Sequence, residues 1–164
     1  PADTDKGNGA DADGVLGQPD VASGVQADTA SGFSNPSGLA VDPANGLYVA
    51  DSINSRVLYF ADAVSKANGA AADNVFGQID FTSDEGAATA SGLSRPDGVF
   101  FDNATDRLWV ADYLNSRVVS YIESDPTPTA TPTQGIPSLS QWGIMLLLCL
   151  LGGGMLMARR GGMA

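Results

Sequence analysis

The first 123 residues repeat themselves at an offset of about sixty positions, and this repetition most limits the folds open to the chain. A repeat of this period indicates a fold in which one structural unit stacks on its own copies. Three pairs of segments carry the similarity: ADGVLGQPD at 12–20 with ADNVFGQID at 72–80, ASGFSNPSGLAVD at 30–42 with ASGLSRPDGVFFD at 90–102, and LYVADSINSRVLYF at 47–60 with LWVADYLNSRVVSY at 108–121.

The apolar runs inside each unit are short, rich in Val, Leu, Phe, Tyr and Trp, and separated by Pro, Gly, Asn and Asp. This pattern is typical of strands joined by turns, and it shows no helical period. The predicted strands lie near 37–42, 47–51, 56–61, 74–78, 97–102, 108–112 and 117–122. About four short antiparallel strands in each unit make a blade of a β-propeller, so the predicted fold class is all-β.

Landmark residues in both units resemble the NHL repeat. In the two copies they are Pro36, Gly38, Asp42, Asp51, Asn54 and Arg56, and then Pro96, Gly98, Asp102, Asp112, Asn115 and Arg117. The resemblance covers most of residues 30–123. It implies a propeller blade whose innermost strand begins after the Pro.

The trio of Asp51, Asn54 and Arg56, repeated as Asp112, Asn115 and Arg117, has the residue types of a binding site. Short polar side chains at this spacing also satisfy backbone groups in a tight turn, with the Arg binding the carboxylate. A ligand site would normally break the symmetry of a repeat. Because the trio recurs in both units, we interpret it as structural.

The sequence divides into five segments: the end of a preceding repeat with a loop at 1–29, a first NHL-like repeat at 30–89, a second at 90–123 that lacks its last strand, a linker at 124–135 and a C-terminal signal at 136–164. Two blades are fewer than the roughly four to eight of a propeller. We therefore expect an incomplete propeller, with further blades and an export signal upstream. The segment 15–18 is expected to be an isolated fourth strand that completes a neighbouring sheet.

The last forty residues have the composition of a spacer followed by a membrane segment. Residues 124–135, SDPTPTATPTQG, predict an extended spacer because Pro fixes φ and cannot enter a sheet interior. Residues 142–158 carry no charge and, if helical, span roughly 25 Å, which predicts one transmembrane helix. Arg159 and Arg160 then form a membrane stop on the cytoplasmic side. Taken alone, these physical features predict a C-terminal membrane anchor.

The order of motif, apolar run and basic end resembles the IPTL-type C-terminal sorting signal of Gram-negative envelope proteins. The motif consists of Ile136, Pro137, Ser138, Leu139, Ser140, Gln141, Trp142 and Gly143. It departs from the family at Ser138, where Thr is usual. The resemblance implies an exosortase-like sorting protease as a partner, cleavage near the motif, and a soluble part that lies outside the cytoplasm or is released to the surface. It favours a processed signal over a retained anchor.

The net charge is −11, and six basic residues face nineteen acidic ones once the two tail arginines are set aside. Such a surface repels nucleic-acid phosphates, so we expect no nucleic-acid partner. Solubility explains the acidity most simply, and we expect no cofactor. Calcium binding by clustered carboxylates is the alternative, although no EF-hand loop occurs. The two candidate clusters are Asp80, Asp84 and Glu85, and Asp3, Asp5, Asp11 and Asp13.

The sequence contains no recognisable catalytic constellation. His is absent, the single cysteine, Cys149, lies in the apolar run, and no Gly-x-Ser-x-Gly elbow or phosphate loop occurs. We therefore expect a non-enzymatic binding or scaffold module for a protein or glycan, with the loops 19–32 and 79–92 as its binding face. The composition of these loops suits polar contacts or simple flexibility. Two alternatives stay open: an envelope hydrolase or lyase with catalytic residues in upstream blades, and a structural matrix component.

Overall fold

The computed structural model describes residues 7–122, which form two antiparallel sheets. The first sheet, blade 1, has the strand order β1-β2-β3-β4, and the second, blade 2, has the order β5-β6-β7. The strands are β1 (Pro36–Val41), β2 (Leu47–Asp51), β3 (Arg56–Phe60), β4 (Asn74–Phe76), β5 (Pro96–Asp102), β6 (Arg107–Asp112) and β7 (Arg117–Ile122). The all-β prediction is confirmed for these residues, whose only helical elements are 3₁₀ turns at Ala63–Ser65 and Tyr113–Asn115.

The strands begin and end close to their predicted positions. The largest difference is at β4, which ends at Phe76 because Gly77 adopts a φ of 87° and turns the chain out of the sheet. The segment 15–18 differs more, since it forms no strand within the described residues. Val15 instead bonds to the turn at 68–69: its N–H donates to Oδ1 of Asn68, and its carbonyl oxygen accepts from the N–H of Gly69.

The main core lies between the two blades. Tyr48 and Val57 on one face of blade 1 pack against Phe101, Leu108 and Val110 on the facing side of blade 2. The rings of Tyr48 and Phe101 stack with their centroids 5.5 Å apart. These side chains alternate along their strands, as burial of one sheet face requires.

A second core covers the other face of blade 1. Leu58 and Phe60 are fully buried there, and Leu16 and Phe33 from the chain before β1 pack against them. Blade 1 therefore has buried side chains on both faces, although Leu39 and Val41 of β1 are exposed on this second face. The face of blade 2 that points away from blade 1 is exposed, and it contains Phe100, Trp109 and Val118.

The connections of both blades lie at two edges. One edge contains the chain entering β1 and β5 and the turns at 52–55 and 113–116; we call it the network edge, after the hydrogen bonds described below. The opposite edge contains the turns between β1 and β2 and between β5 and β6. At that edge the turn at 43–46 is closed by Asp42, whose carboxylate accepts hydrogen bonds from the N–H groups of Ala44 and Gly46.

No helix among residues 7–122 has the length and apolar character needed to cross a membrane. The linker at 124–135, the motif at 136–143, the predicted transmembrane helix at 142–158, and Arg159 and Arg160 lie outside the described residues.

Candidate functional site

The predicted trio of blade 1 forms a buried ion-pair network. Arg56 donates from Nε to Oδ2 of Asp51 at 2.7 Å, and both side chains are completely buried. Asn54 donates to the same oxygen at 2.8 Å. The other carboxylate oxygen accepts a 2.6 Å hydrogen bond from the backbone N–H of Ser34. The trio therefore joins the turn between β2 and β3 to the chain that enters β1.

The remaining Arg56 nitrogens hold the loops that the sequence nominated as a binding face. Nη2 donates to the carbonyl oxygens of Thr29 and Gly32, at 2.9 and 3.1 Å. Nη1 donates to those of Asp28 and Phe81. All five donors of the guanidinium are thereby used, which leaves none for a ligand.

Burial dominates the electrostatics of this network. It raises the pKa of the Asp51 carboxyl, against the lowering effect of hydrogen bonds from Ser34, Asn54 and Arg56. Three donors bind this carboxylate, and its side chain is completely buried. The network can therefore orient the loops, but it offers no open group for chemistry.

Blade 2 repeats the network with fewer partners. Arg117 donates from Nε to Asp112 at 2.7 Å and from Nη2 to the carbonyl oxygens of Thr89 and Gly92. Asn115 donates to Asp112 at 2.8 Å. Nη1 of Arg117 has no hydrogen-bond partner within residues 7–122, and 30% of the Arg117 side chain is exposed, whereas that of Arg56 is fully buried.

A pocket of about 300 Å³ opens at the network edge where the two blades meet. Its lining residues are Asn35, Ser52, Arg95, Asp97 and Tyr113. Four of them occupy two equivalent positions of the repeat, and at both positions the copies differ: Asn35 corresponds to Arg95, and Ser52 to Tyr113. The pocket is therefore a place where repeat symmetry is broken, while the adjacent trios are identical.

The pocket combines a cation, an acid and an aromatic ring. Arg95 and Tyr113 are both exposed, and neither side chain makes a hydrogen bond or ion pair to another of the described residues. Arg95 offers a planar fork of donors, and Tyr113 offers an apolar ring with a hydroxyl at its tip. The neighbouring turn positions of the two blades, Ile53 and Leu114, add exposed apolar surface at the same edge.

Sequence reasoning missed this pocket. The loops it favoured, 19–32 and 79–92, lie at the network edge, but the pocket is lined by residues beside β1, β2, β5 and β6. The usable signal was the pair of substitutions between otherwise similar copies, Asn35 to Arg95 and Ser52 to Tyr113. The landmark residues that define the repeat do not indicate such positions, because they are the residues that the copies share.

Of the carboxylates considered for calcium, that of Asp80 is used locally. Asp80 accepts hydrogen bonds at its Oδ1 from the backbone N–H groups of Thr82 and Ser83, and these bonds lower its pKa. Within residues 7–122 no three acidic, His or Cys side chains gather as a metal site would require. Asp3 and Asp5 lie outside the described residues.

Comparison with known proteins identifies one repeat. Residues 33–60 match the NHL repeat family, a span that contains β1, β2, β3 and the first trio. No curated protein matches the chain. Residues 33–60 are an NHL repeat, and the two antiparallel sheets are consistent with blades of a β-propeller.

Proposed function

We propose that the chain is an exported β-propeller module of a Gram-negative cell envelope that binds a protein or glycan ligand at its network edge. The observation that carries the proposal is the pocket between the blades, where Arg95 and Tyr113 replace the Asn35 and Ser52 of the first copy. A repeat scaffold acquires specificity where its copies diverge, since the shared positions are needed to build the blade.

The chemistry of the pocket suits a ligand with both polar and apolar groups. Arg and Tyr are enriched at interfaces because each combines hydrogen bonding with a large contact area. Asp97 adds an acceptor for hydroxyl or amide donors. Peptide segments and sugars carry these groups, and the acidity of the rest of the chain disfavours nucleic acid.

Binding without catalysis is the activity that the pocket residues support best. Asn35, Ser52, Arg95, Asp97 and Tyr113 include no His, Cys or Lys. Among these five residues, Ser52 has the hydroxyl that most often acts as a nucleophile in enzymes. Ser52 is buried, and its backbone hydrogen-bonds to the backbone of Asn35 and Ser55. A nucleophile needs an adjacent base to be activated, and none is placed beside it in the described part of the chain.

Substitutions in the pocket should test the binding site directly. The full-length chain in detergent micelles would be screened against glycan and peptide arrays, and the affinity of each hit measured by calorimetry. We expect Arg95→Ala and Tyr113→Ala each to weaken binding about tenfold or more, the range of central interface residues. Asn103→Ala, at the opposite edge, is the matched control and should bind normally. Unchanged affinity in both pocket variants would reject the site.

The tail supports the envelope assignment by its resemblance to a sorting signal. In this proposal an exosortase-like protease recognises residues 136–143, and the helix at 142–158 holds the precursor in the membrane with the propeller outside the cytoplasm. Arg159 and Arg160 fix the orientation of that helix.

Replacing Arg159 and Arg160 with Gln should leave unprocessed precursor or misorient the tail, because the positive end that holds the helix in place is lost. Immunoblots of fractionated cells would follow the mass and location of the protein. Changing Lys66 and Arg107 to Gln removes the same number of charges elsewhere and should leave processing intact. Normal processing of the tail variant would argue against a sorting signal.

A further inference from the structure

Arg95 differs from the other basic side chains that the structure describes. The others each bond to a side chain of the protein: Arg56, Lys66, Arg107 and Arg117. Arg95 is exposed, and its side chain bonds to no other residue among 7–122. The chain contains nineteen acidic residues, so carboxylates are abundant. Position 95 therefore holds a cation that is open to an anion from outside the chain.

The backbone at position 95 suits Arg poorly. Arg95 has a φ of 49°, in the left-handed region, where Asn is enriched and long side chains are uncommon. Its equivalent in the first copy is Asn35, with a φ of 60°. Each of the two residues precedes the Pro that begins an innermost strand, so the local structure is the same in both blades. Local structure therefore explains Asn35, but it does not explain the Arg that replaces it in the second copy.

The main chain at the turns beside the pocket is already paired. The N–H of Ser52 donates to the carbonyl oxygen of Asn35 at 3.4 Å, and the N–H of Leu114 donates to that of Ser94 at 3.1 Å. Extended peptides are commonly held through hydrogen bonds between their main chain and that of the protein. A ligand at these turns must bond chiefly to side chains. This requirement suits the hydroxyl groups of a sugar better than it suits a peptide main chain.

The side chains of the pocket match the groups of a sugar. Tyr113 is 65% exposed, and its ring offers an apolar surface for the C–H face of a sugar ring. The amide of Asn35 both donates and accepts hydrogen bonds, and the carboxylate of Asp97 accepts them. The volume of about 300 Å³ is at the lower end for ligand pockets, which favours a small ligand such as one or two sugar rings.

The charges around the pocket favour a carboxylate over a phosphate as the anion. The guanidinium of Arg95 matches the geometry of either group, with two parallel hydrogen bonds. Asp97 lines the same pocket, and the net charge of the chain is −11. A phosphate monoester has about 1.5–2 negative charges at neutral pH, whereas a carboxylate has one. Repulsion from Asp97 and from the acidic surface is therefore smaller for the carboxylate.

We propose that the pocket binds an acidic sugar, a hexuronic acid whose carboxylate pairs with Arg95 and whose ring stacks on Tyr113. The sugar hydroxyls bond to the side chains of Asn35 and Asp97. This inference rests on the proposed function, because it names the ligand class of the same site. Arg95 provides the preference for acidic over neutral sugars, and Tyr113 provides affinity for both.

Calorimetry with matched sugars tests the ligand class. The full-length chain, in a detergent without sugar headgroups, would be titrated with trisaccharides of galacturonate, glucuronate and mannuronate. The neutral trisaccharides of galactose, glucose and mannose are the matched probes, and tri-alanine presents a carboxylate on a peptide. We expect at least one uronate to bind about ten- to a hundredfold more tightly than its neutral counterpart, the range of a hydrogen bond to a charged group.

Exchanging pocket residues for those of the first copy assigns the roles. Arg95→Asn should reduce the affinity for uronates to that for neutral sugars, and it should not lower the melting temperature, because Asn suits the same backbone. Tyr113→Ser should weaken the binding of acidic and neutral sugars alike. Arg107→Gln removes the same charge at the opposite edge and is the control, which should bind uronates as the unmodified chain does.

The possible outcomes separate this inference from the proposed function. Equal affinity for uronates and neutral sugars, or a preference for uronates that survives Arg95→Asn, would overturn the acidic-sugar inference. Tighter binding of tri-alanine than of any uronate would overturn it in favour of a peptide ligand. Absence of uronate binding would also overturn it. None of these results rejects the binding site itself, which fails only if Arg95→Ala and Tyr113→Ala leave the affinities of the array ligands unchanged.

Discussion

Replacing Arg56 with Met is expected to lower the free energy of unfolding by about 3–5 kcal/mol, the cost of removing one partner from a buried ion pair. The substitution leaves the Asp51 carboxylate without its cation in a site closed to water. It also leaves the carbonyl oxygens of Thr29 and Gly32 without a donor. Denaturant titration followed by tryptophan fluorescence would measure the loss in the full-length chain.

Arg117→Met is the matched control in blade 2. Its side chain is partly exposed and has fewer carbonyl partners, so water can replace part of what is lost. We expect a smaller effect, about 1–2 kcal/mol, intermediate between surface and buried pairs. Equal losses at Arg56 and Arg117 would show that burial and the loop carbonyls contribute little to the network.

The loss at Arg56 should depend on pH. Burial raises the pKa of Asp51 above 3.8, and removing Arg56 removes two of the interactions that oppose this rise. A carboxyl with a higher pKa in the folded chain holds its proton more tightly there. The contribution of this protonated carboxyl to the free energy of unfolding is therefore complete below pH 3.8, and it is lost as the pH rises through the folded-state pKa. The deficit of Arg56→Met should be larger at about pH 8 than at about pH 5.

Gly38→Ala should also destabilise the chain strongly, through the contact between blades. A Cβ on Gly38 would lie 2.6 Å from the carbonyl oxygen of Asp97 and 3.0 Å from the backbone of Gly98 and Val99. These are backbone atoms of β5, so relief requires the innermost strands to separate and the core between the blades to loosen. We expect a loss of about 2–3 kcal/mol, at the upper end for an overpacked contact. Denaturant titration would measure it.

Gly98 is the equivalent residue of blade 2 and provides the control. A Cβ there would meet only the Ala111 side chain, at an ordinary 3.9 Å. In dilute solution, Gly98→Ala should leave the unfolding free energy nearly unchanged. A loss at Gly98 as large as that at Gly38 would mean that backbone freedom, rather than close approach of the blades, explains the glycine.

The strands of this fold were predictable because each is a short apolar run between strong turn formers. The hairpin at 43–46 and the Pro residues that begin β1 and β5 follow from the backbone geometry that the residues themselves prefer. The trios were also interpretable, since an acid, an amide and a cation close in sequence can satisfy one turn. These features depend on neighbours along the chain.

The pocket and the irregular segment at 15–18 depend instead on contacts between residues that are far apart in the sequence. Val15 and Leu16 have the same strand pattern as Val75 and Phe76, but a strand forms only where a partner edge exists. The pocket arises from the approach of two blades, which brings together Asn35 and Arg95 from positions sixty residues apart. The local sequence pattern does not predict how the two blades pack.

The hydrogen bond from Arg56 to the carbonyl of Phe81 has a consequence for how the chain unfolds. It ties the guanidinium of one repeat to the loop that leads into the next, so the limits of a sequence repeat are not the limits of a cooperative unit. Blade 1 cannot open without releasing the entrance to blade 2. Repeat proteins often unfold unit by unit, but coupling of this kind raises the energy of the half-open state. The two blades should therefore melt in a single transition.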